Sequence, residues 1–244
     1  MTDRPSILVP LRVLEGESVP EGVPELLAPT HVILLGYHVI PEQTAPGQAR
    51  MQFEDRAIER LDEYEEMFEE AGATVERRLV FTHNGQKTID RMIVEHDCLA
   101  VLVPNATGPV EDVLVPVRGA IGVDRLARVV ATVFGTTDAD VTLYHVADED
   151  TTDDDIQTLL GGMADRLTEF GMDPSTIETR IDRDRDPLDA IADVADSFDT
   201  VVMGESDPSL ATFVFGMPAD QVAERFLGPV FVVQREPAPD EGDD

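Results

Sequence analysis

Two arginines stand where chemistry could be done. Arg12 closes the run ILVPLR (Ile7 to Arg12), and Arg118 closes the run VLVPVR (Val113 to Arg118). A guanidinium at a strand end can hold a carboxylate or a phosphate through two parallel hydrogen bonds. It can equally pair with a nearby acid of the chain and brace the sheet, and both readings stay open here. Gly119 and Gly122 follow Arg118 and lead into an amphipathic pattern. A glycine-rich turn running into a helix start points N–H groups at an anion. The loop from Gly204 to Met217 is the second place for such a cradle.

Other reactive side chains carry less. His38 and His145 occupy equivalent strand ends, which suggests shared packing rather than a metal site, and no His/Cys set has metal-ligand spacing. Ser206 and Ser209 lack a glycine-flanked elbow and a base partner. Asp153, Asp154 and Asp155 read as a solvated helix start. Cys98 is the only cysteine, sits in an apolar run and reads as a small core residue. No catalytic constellation stands out.

The elements that must position these residues alternate. Short apolar runs bounded by turn residues predict strands at 7–14, 31–40, 74–81, 98–103, 113–118, 140–147, 177–181, 200–203 and 229–233. Helical periodicity predicts helices at 48–71, 84–96, 122–132, 153–170, 187–197 and 219–227. Gly72 and Gly171 stop two of them, Asn84 caps another and Pro187 opens a fourth. The stretch Glu15 to Pro29, with Pro20, Pro24 and Pro29, allows a turn or two of helix at most. Strands alternating with helices imply right-handed βαβ units and a parallel sheet covered on both faces.

The pattern occurs twice. Pro10 answers Pro116, Tyr37-His38-Val39 answers Tyr144-His145-Val146, and Asp97 answers Asp199. The reading is therefore α/β, with two tandem Rossmann-like parallel sheets and the first copy truncated. It lacks a full helix after its first strand, and its last helix and fifth strand. The domains are placed at 1–108 and 109–236, with 237–244 an acidic disordered tail. The copies should pack as an internal pseudo-dimer, leaving the last strand to pair with another chain.

The 244-residue chain carries a net charge of −32 and a single lysine, Lys87. Such a surface repels nucleic-acid phosphates and anionic membranes. The acids are dispersed and aromatics are few, which reads as solvation at high salt in a halophilic cytoplasm. No apolar run is long enough to span a membrane.

The order of these pieces resembles the universal stress protein family: ILVPL and VLVPV opening each half, YHV ending the second strand, and VVMG ending the fourth. The resemblance covers nearly the whole chain as a tandem pair. It implies a five-stranded parallel sheet in each complete domain, with ATP bound in some members and not in others. The nucleotide-binding members carry an aspartate after the first strand, and a loop of the form G-x-x-G, nine residues, then G-[ST]. Here Arg12 and Arg118 stand at the aspartate position, Asp207 replaces the second glycine, and Gly216 is followed by Met217 one residue early. The degenerate pocket comprises Pro116, Val117, Arg118, Met203, Gly204, Gly216 and Met217. A polyphosphate there would face Glu205 and Asp207. The expectation is a non-catalytic stress-response or regulatory protein without a cofactor, acting through docking or a small ligand. The alternatives are an ATP- or AMP-binding switch or slow ATPase of the same fold, or a soluble regulatory module of a membrane transporter.

Overall fold

The computed structural model describes residues 4–119, 122–148, 151–183, 185–205 and 228–235. The elements alternate as the periodicity predicts. The first half holds β1 (Ser6–Leu11), α1 (Val23–Leu26), β2 (His31–Val39), α2 (Pro46–Ala71), β3 (Thr74–Thr82), α3 (Gly85–Glu95) and β4 (Ala100–Val103). The second half holds β5 (Asp112–Pro116), α4 (Val123–Phe134), β6 (Asp140–Ala147), α5 (Asp153–Glu169), β7 (Ile177–Arg183), α6 (Pro187–Ala195), β8 (Thr200–Gly204) and β9 (Val230–Val233). A 3₁₀ turn at Pro174–Thr176 leads into β7. The expected helix at 219–227 and the tail lie outside the described residues.

Local chemistry accounts for the boundaries. Asn84 accepts the Lys87 backbone N–H at 2.9 Å and caps α3. Thr152 does the same for α5 through Asp155 N, and three aspartates fill its first turn, where the dipole favours them. Gly72 ends α2 at a φ of 108°, a left-handed conformation that glycine takes without a Cβ penalty. The prolines after Arg12 leave α1 as a single turn.

The two sheets expected from the repeat are joined into one of nine strands, ordered β3-β2-β1-β4-β9-β8-β5-β6-β7. Within each half the strands are parallel. Between the halves, β4 and β9 pair antiparallel, Ala100 opposite Val233 and Val103 opposite Val230. The carboxyl ends of the two sets of strands therefore emerge at opposite ends of the sheet. The last strand does not offer an edge to another chain, which corrects the expectation of a partner there. One side of β9 pairs with β8 and the other with β4, so the second half supplies the strand that the first half lacks.

One face of the sheet carries α1, α2, α4 and α5 over a continuous core that runs from Val9 and Phe68 to Val115, Phe134 and Phe231. Phe134 and Phe231 meet edge to face at 6.1 Å. The other face carries α3 over Leu8, Ile33 and Leu35, and α6 over Leu114 and Tyr144.

Strand register revises the internal alignment. Pro10 lies beside Leu35, and Pro116 beside Tyr144. Leu35 lies beside Arg78, and Tyr144 beside Arg180. If the prolines correspond, Tyr144 answers Leu35 and not Tyr37, and His38 answers Ala147. Likewise Leu99 N donates to Ser6 O as Asp199 N donates to Asp112 O, so Leu99, not Asp97, is the counterpart of Asp199. Matching letters at near-constant offset misses such shifts because loop lengths differ between the halves, while the hydrogen-bond ladder does not drift.

Candidate functional site

In an open parallel sheet, a crevice forms where neighbouring strands are followed by connections that run in opposite directions. The second half has that point between β5 and β8. A cleft opens there, lined by Pro116, Val117, Arg118, Gly119, Met203 and Gly204, and roofed by Gly122, Val123 and Leu126 from the start of α4. Five of the seven residues singled out from sequence meet at this cleft. Gly216 and Met217 lie outside the described residues, as do Ser206, Asp207 and Ser209.

Sequence reasoning missed the third wall. Gln234 and Arg235, just past β9, also line the cleft. Glu205 N donates to Val233 O at 2.7 Å, and Arg235 N donates to Glu205 Oε2 at 3.0 Å. Gln234 is buried; its N–H donates to Leu99 O of the first half at 2.8 Å, and its Nε2 donates to Val232 O at 3.0 Å. The signal was available in principle: a strand paired parallel to β8 must bring its own end beside Gly204. The carboxylate of Glu205, expected to face a phosphate, is instead tied to a backbone N–H.

A second and larger cavity of about 280 Å³ lies on the other side of Arg118, between the carboxyl ends of β5 and β6 and the first turns of α5. His145, Asp148, Asp155, Ile156, Leu159 and Arg185 line it. His145 is buried with Nδ1 2.6 Å from Val117 O. Beside it the Tyr144 hydroxyl donates to Asp182 Oδ2 at 3.0 Å. Burial first, then this bond, pushes the Tyr144 phenol up to about 12. The same bond holds the Asp182 carboxyl below its usual range. Arg118 thus stands between two clefts that together form a groove across the ends of β8, β5 and β6.

At the first half's switch point, between β1 and β4, the space is taken by the chain itself. Its chain folds back after β1. Val13, Val19 and Val23 are buried in the core. Thr107 N, past β4, donates to Glu21 O at 3.0 Å and ties the two rims together. Arg12 acts as a brace: its N–H donates to Glu17 Oε2 at 2.6 Å, its Nε donates to the Tyr37 hydroxyl at 3.1 Å, and Nη1 lies 3.4 Å from Glu15. His38 packs edge-on between Phe53 and Phe81, with Nδ1 3.8 Å from Glu15. It shares neither the partner nor the burial of His145. Among the described residues no His/Cys/Asp/Glu group could hold a metal ion. No helix among them is long and apolar enough to cross a membrane.

With that geometry in view, solved structures decide the fold. A universal stress protein from Archaeoglobus fulgidus superposes with a TM-score of 0.62 at 18% identity, covering 94% of this chain and 96% of that one. The chain has the universal stress protein fold. A functionally unknown protein from Pseudomonas aeruginosa matches at a TM-score of 0.50 and 14% identity, over 95% of this chain and 93% of that one. A universal stress protein solved in complex with cAMP covers 53% of this chain and 100% of its own, at 20% identity and a TM-score of 0.41. No family model and no curated protein matches the chain. The universal stress fold here spans both halves, and among the described residues a switch-point groove lies in the second half.

Proposed function

We propose that the chain is a non-catalytic, universal-stress-type regulatory protein of a halophilic cytoplasm, in which the first half is a scaffold and the second half binds a small ligand. The asymmetry of the two switch points carries this reading. One is closed by its own chain, and its arginine is spent on Glu15, Glu17 and Tyr37. The other remains a groove lined by strand ends and a helix start. Among the described residues no serine or cysteine lines the groove, and Thr151, which does, donates its hydroxyl to Asp148. Ligand occupancy would be read through Gln234, whose N–H is bonded to the first half at Leu99 O.

The test is mass spectrometry of what copurifies with the full chain at molar KCl, followed by titration of the identified compound. A stoichiometric small molecule lost on Gly204→Asp supports the reading. A chain that copurifies with nothing, and takes up no ligand from a metabolite mixture, refutes it. The second reading is an adenine-nucleotide switch, favoured by Gly122 and Gly204 at the switch-point cleft. ATP and AMP titrations in the same buffer separate the two: micromolar binding with slow hydrolysis of ATP would replace the non-catalytic reading.

A further inference from the structure

The nine-stranded sheet ends on β3 and β7. All seven residues of β7, Ile177 to Arg183, pair with β6 on one side. Among the described residues no strand pairs with the other side, so a row of N–H and C=O groups is left over. The strand holds neither proline nor glycine, which would interrupt a further ladder. Glu178, Thr179, Arg180 and Ile181 are all exposed. Ile181 is 41% exposed, although Ile177, on the same face of the strand, packs against the main core.

A charge in the middle of an edge ordinarily keeps other chains away. Here the charges are self-complementary. A two-fold axis normal to the sheet would set β7 antiparallel to its own copy, and the numbers of facing residues then sum to an even number, because side chains alternate between faces. With the axis at Thr179, Glu178 faces Arg180 of the second copy and Arg180 faces its Glu178. Ile177 and Ile181 face each other in the same way, and the two Thr179 side chains meet. An axis at Glu178 or at Arg180 sets like charges face to face. An axis at Ile181 sets Arg180 against Asp182, but that carboxylate already accepts from the Tyr144 hydroxyl at 3.0 Å and lies 3.5 Å from Arg185. Glu178 and Arg180 form no ion pair among the described residues. The Arg180 guanidinium lies over the Tyr144 ring, 5.7 Å from its centroid. The other edge, β3, lacks this property. Its Arg77 pairs with Asp62 and Glu65 of α2, and its Glu76 pairs with Arg78 and lies 3.6 Å from His96. The axis that would set Glu76 against Arg78, at Arg77, also sets Arg77 against itself.

We propose that β7 is the surface through which two copies of this chain join, antiparallel about Thr179, into one continuous sheet. The seam has five residue pairs, from Ile177 to Ile181, where the β4–β9 seam inside the chain closes with four. It uses a strand other than the last one, both sides of which are taken within the chain.

Sedimentation velocity of the full chain over a range of concentrations in about 1 M KCl tests it. At that salt the Debye length is about 3 Å, so the net charges of two copies are screened while groups in contact still interact. A monomer–dimer equilibrium is expected. Glu178→Arg and Arg180→Glu each set like charges face to face twice, and each should raise the dimer Kd at least about tenfold. The two single changes move the net charge in opposite directions, so a common effect cannot come from overall repulsion. Combined, they should restore the dimer to within about threefold of the parent. Thr179→Cys should crosslink two copies on oxidation, since facing Cβ atoms lie about 4.5 to 5.5 Å apart, and Cys98 is buried. Ile181→Cys should not, because those two positions would stand about 13 Å apart along the strands. A monomer at every concentration overturns the proposal. So does a dimer that neither charge reversal weakens, a combined variant that stays dissociated while melting like the parent, or crosslinking through position 181 in place of 179.

Discussion

Arg12 and Arg118 look alike in sequence, and their surroundings divide them. Arg12 is engaged by Glu15 and Glu17, brought to it by a short excursion of chain, and by the Tyr37 hydroxyl of β2. Arg118 stands at the meeting of two clefts. The residue with a sharp experimental signature is Tyr144. Its folded pKa, about 12, lies above the ordinary phenol value of about 10. The neutral form is therefore the one that the fold stabilises. That contribution is whole below about pH 10 and is lost as pH rises toward about 12. Burial raises Tyr64 as well, so an ultraviolet titration of the three tyrosines should show delayed ionisation, and Tyr144→Phe should remove the step near pH 12. The same change should cost about 1 kcal/mol at neutral pH in denaturant unfolding, since the lost bond reaches a partner that water can still solvate. Asp182 has the opposite sign. Its lowered pKa favours the folded state above the usual carboxylate range, and that support fades as pH falls through it. Acid unfolding of Tyr144→Phe should therefore respond less steeply at low pH.

At the scale of elements, the loop that closes the first half is built on one glycine. Gly22 holds a φ of 83°, and an added Cβ would lie 2.1 Å from Thr107 O. Gly22→Ala combines left-handed strain with a backbone clash, and should cost about 2 to 4 kcal/mol in equilibrium unfolding. An unchanged midpoint would mean that the two rims are not held together there. The prolines in this stretch announced that no long helix would form, and one turn of helix is found. What the stretch does instead was not legible. Val13 and Val19 sit among charged and turn residues with no period to mark them as core. They are buried because tertiary packing against Leu61 and Tyr64 covers them. The amphipathic helices were easy to read for the opposite reason: α2, α4 and α5 repeat their apolar residues along a stripe, and a stripe demands a sheet to cover it.

At the scale of the molecule, the β4–β9 pair decides the architecture. Its four residue pairs join the halves, and Gln234 adds a bond to Leu99 beyond them. Either half alone would expose an apolar strand edge, which invites pairing with other chains. Residues 1–108 and 109–244 made separately should each self-associate in size exclusion with light scattering. Mixed during refolding, they should give a one-to-one complex of parental mass. A well-behaved monomer of 1–108 would show that the borrowed strand is dispensable. The charge of −32 acts on the same seam from outside. Raising KCl from about 0.1 M to about 1 M shortens the Debye length from about 10 Å to about 3 Å. The melting temperature should rise across that range, and a flat response would count against the high-salt reading of the composition.

By itself, the sequence determined the alternation of elements, the parallel strands within each half, and five cleft residues around Pro116 and Met203. These depend on periodicity and on residues adjacent in the chain, which a linear reading can see. Only the tertiary structure decided that the halves share a sheet, that Gln234 and Arg235 complete the cleft, and that Arg12 braces a surface loop while Arg118 lines two clefts. Those outcomes depend on which strand finds an edge and on the length of the connection after Arg12 or Arg118. Both come from closing the chain in space, where contacts between residues far apart in sequence set the energy.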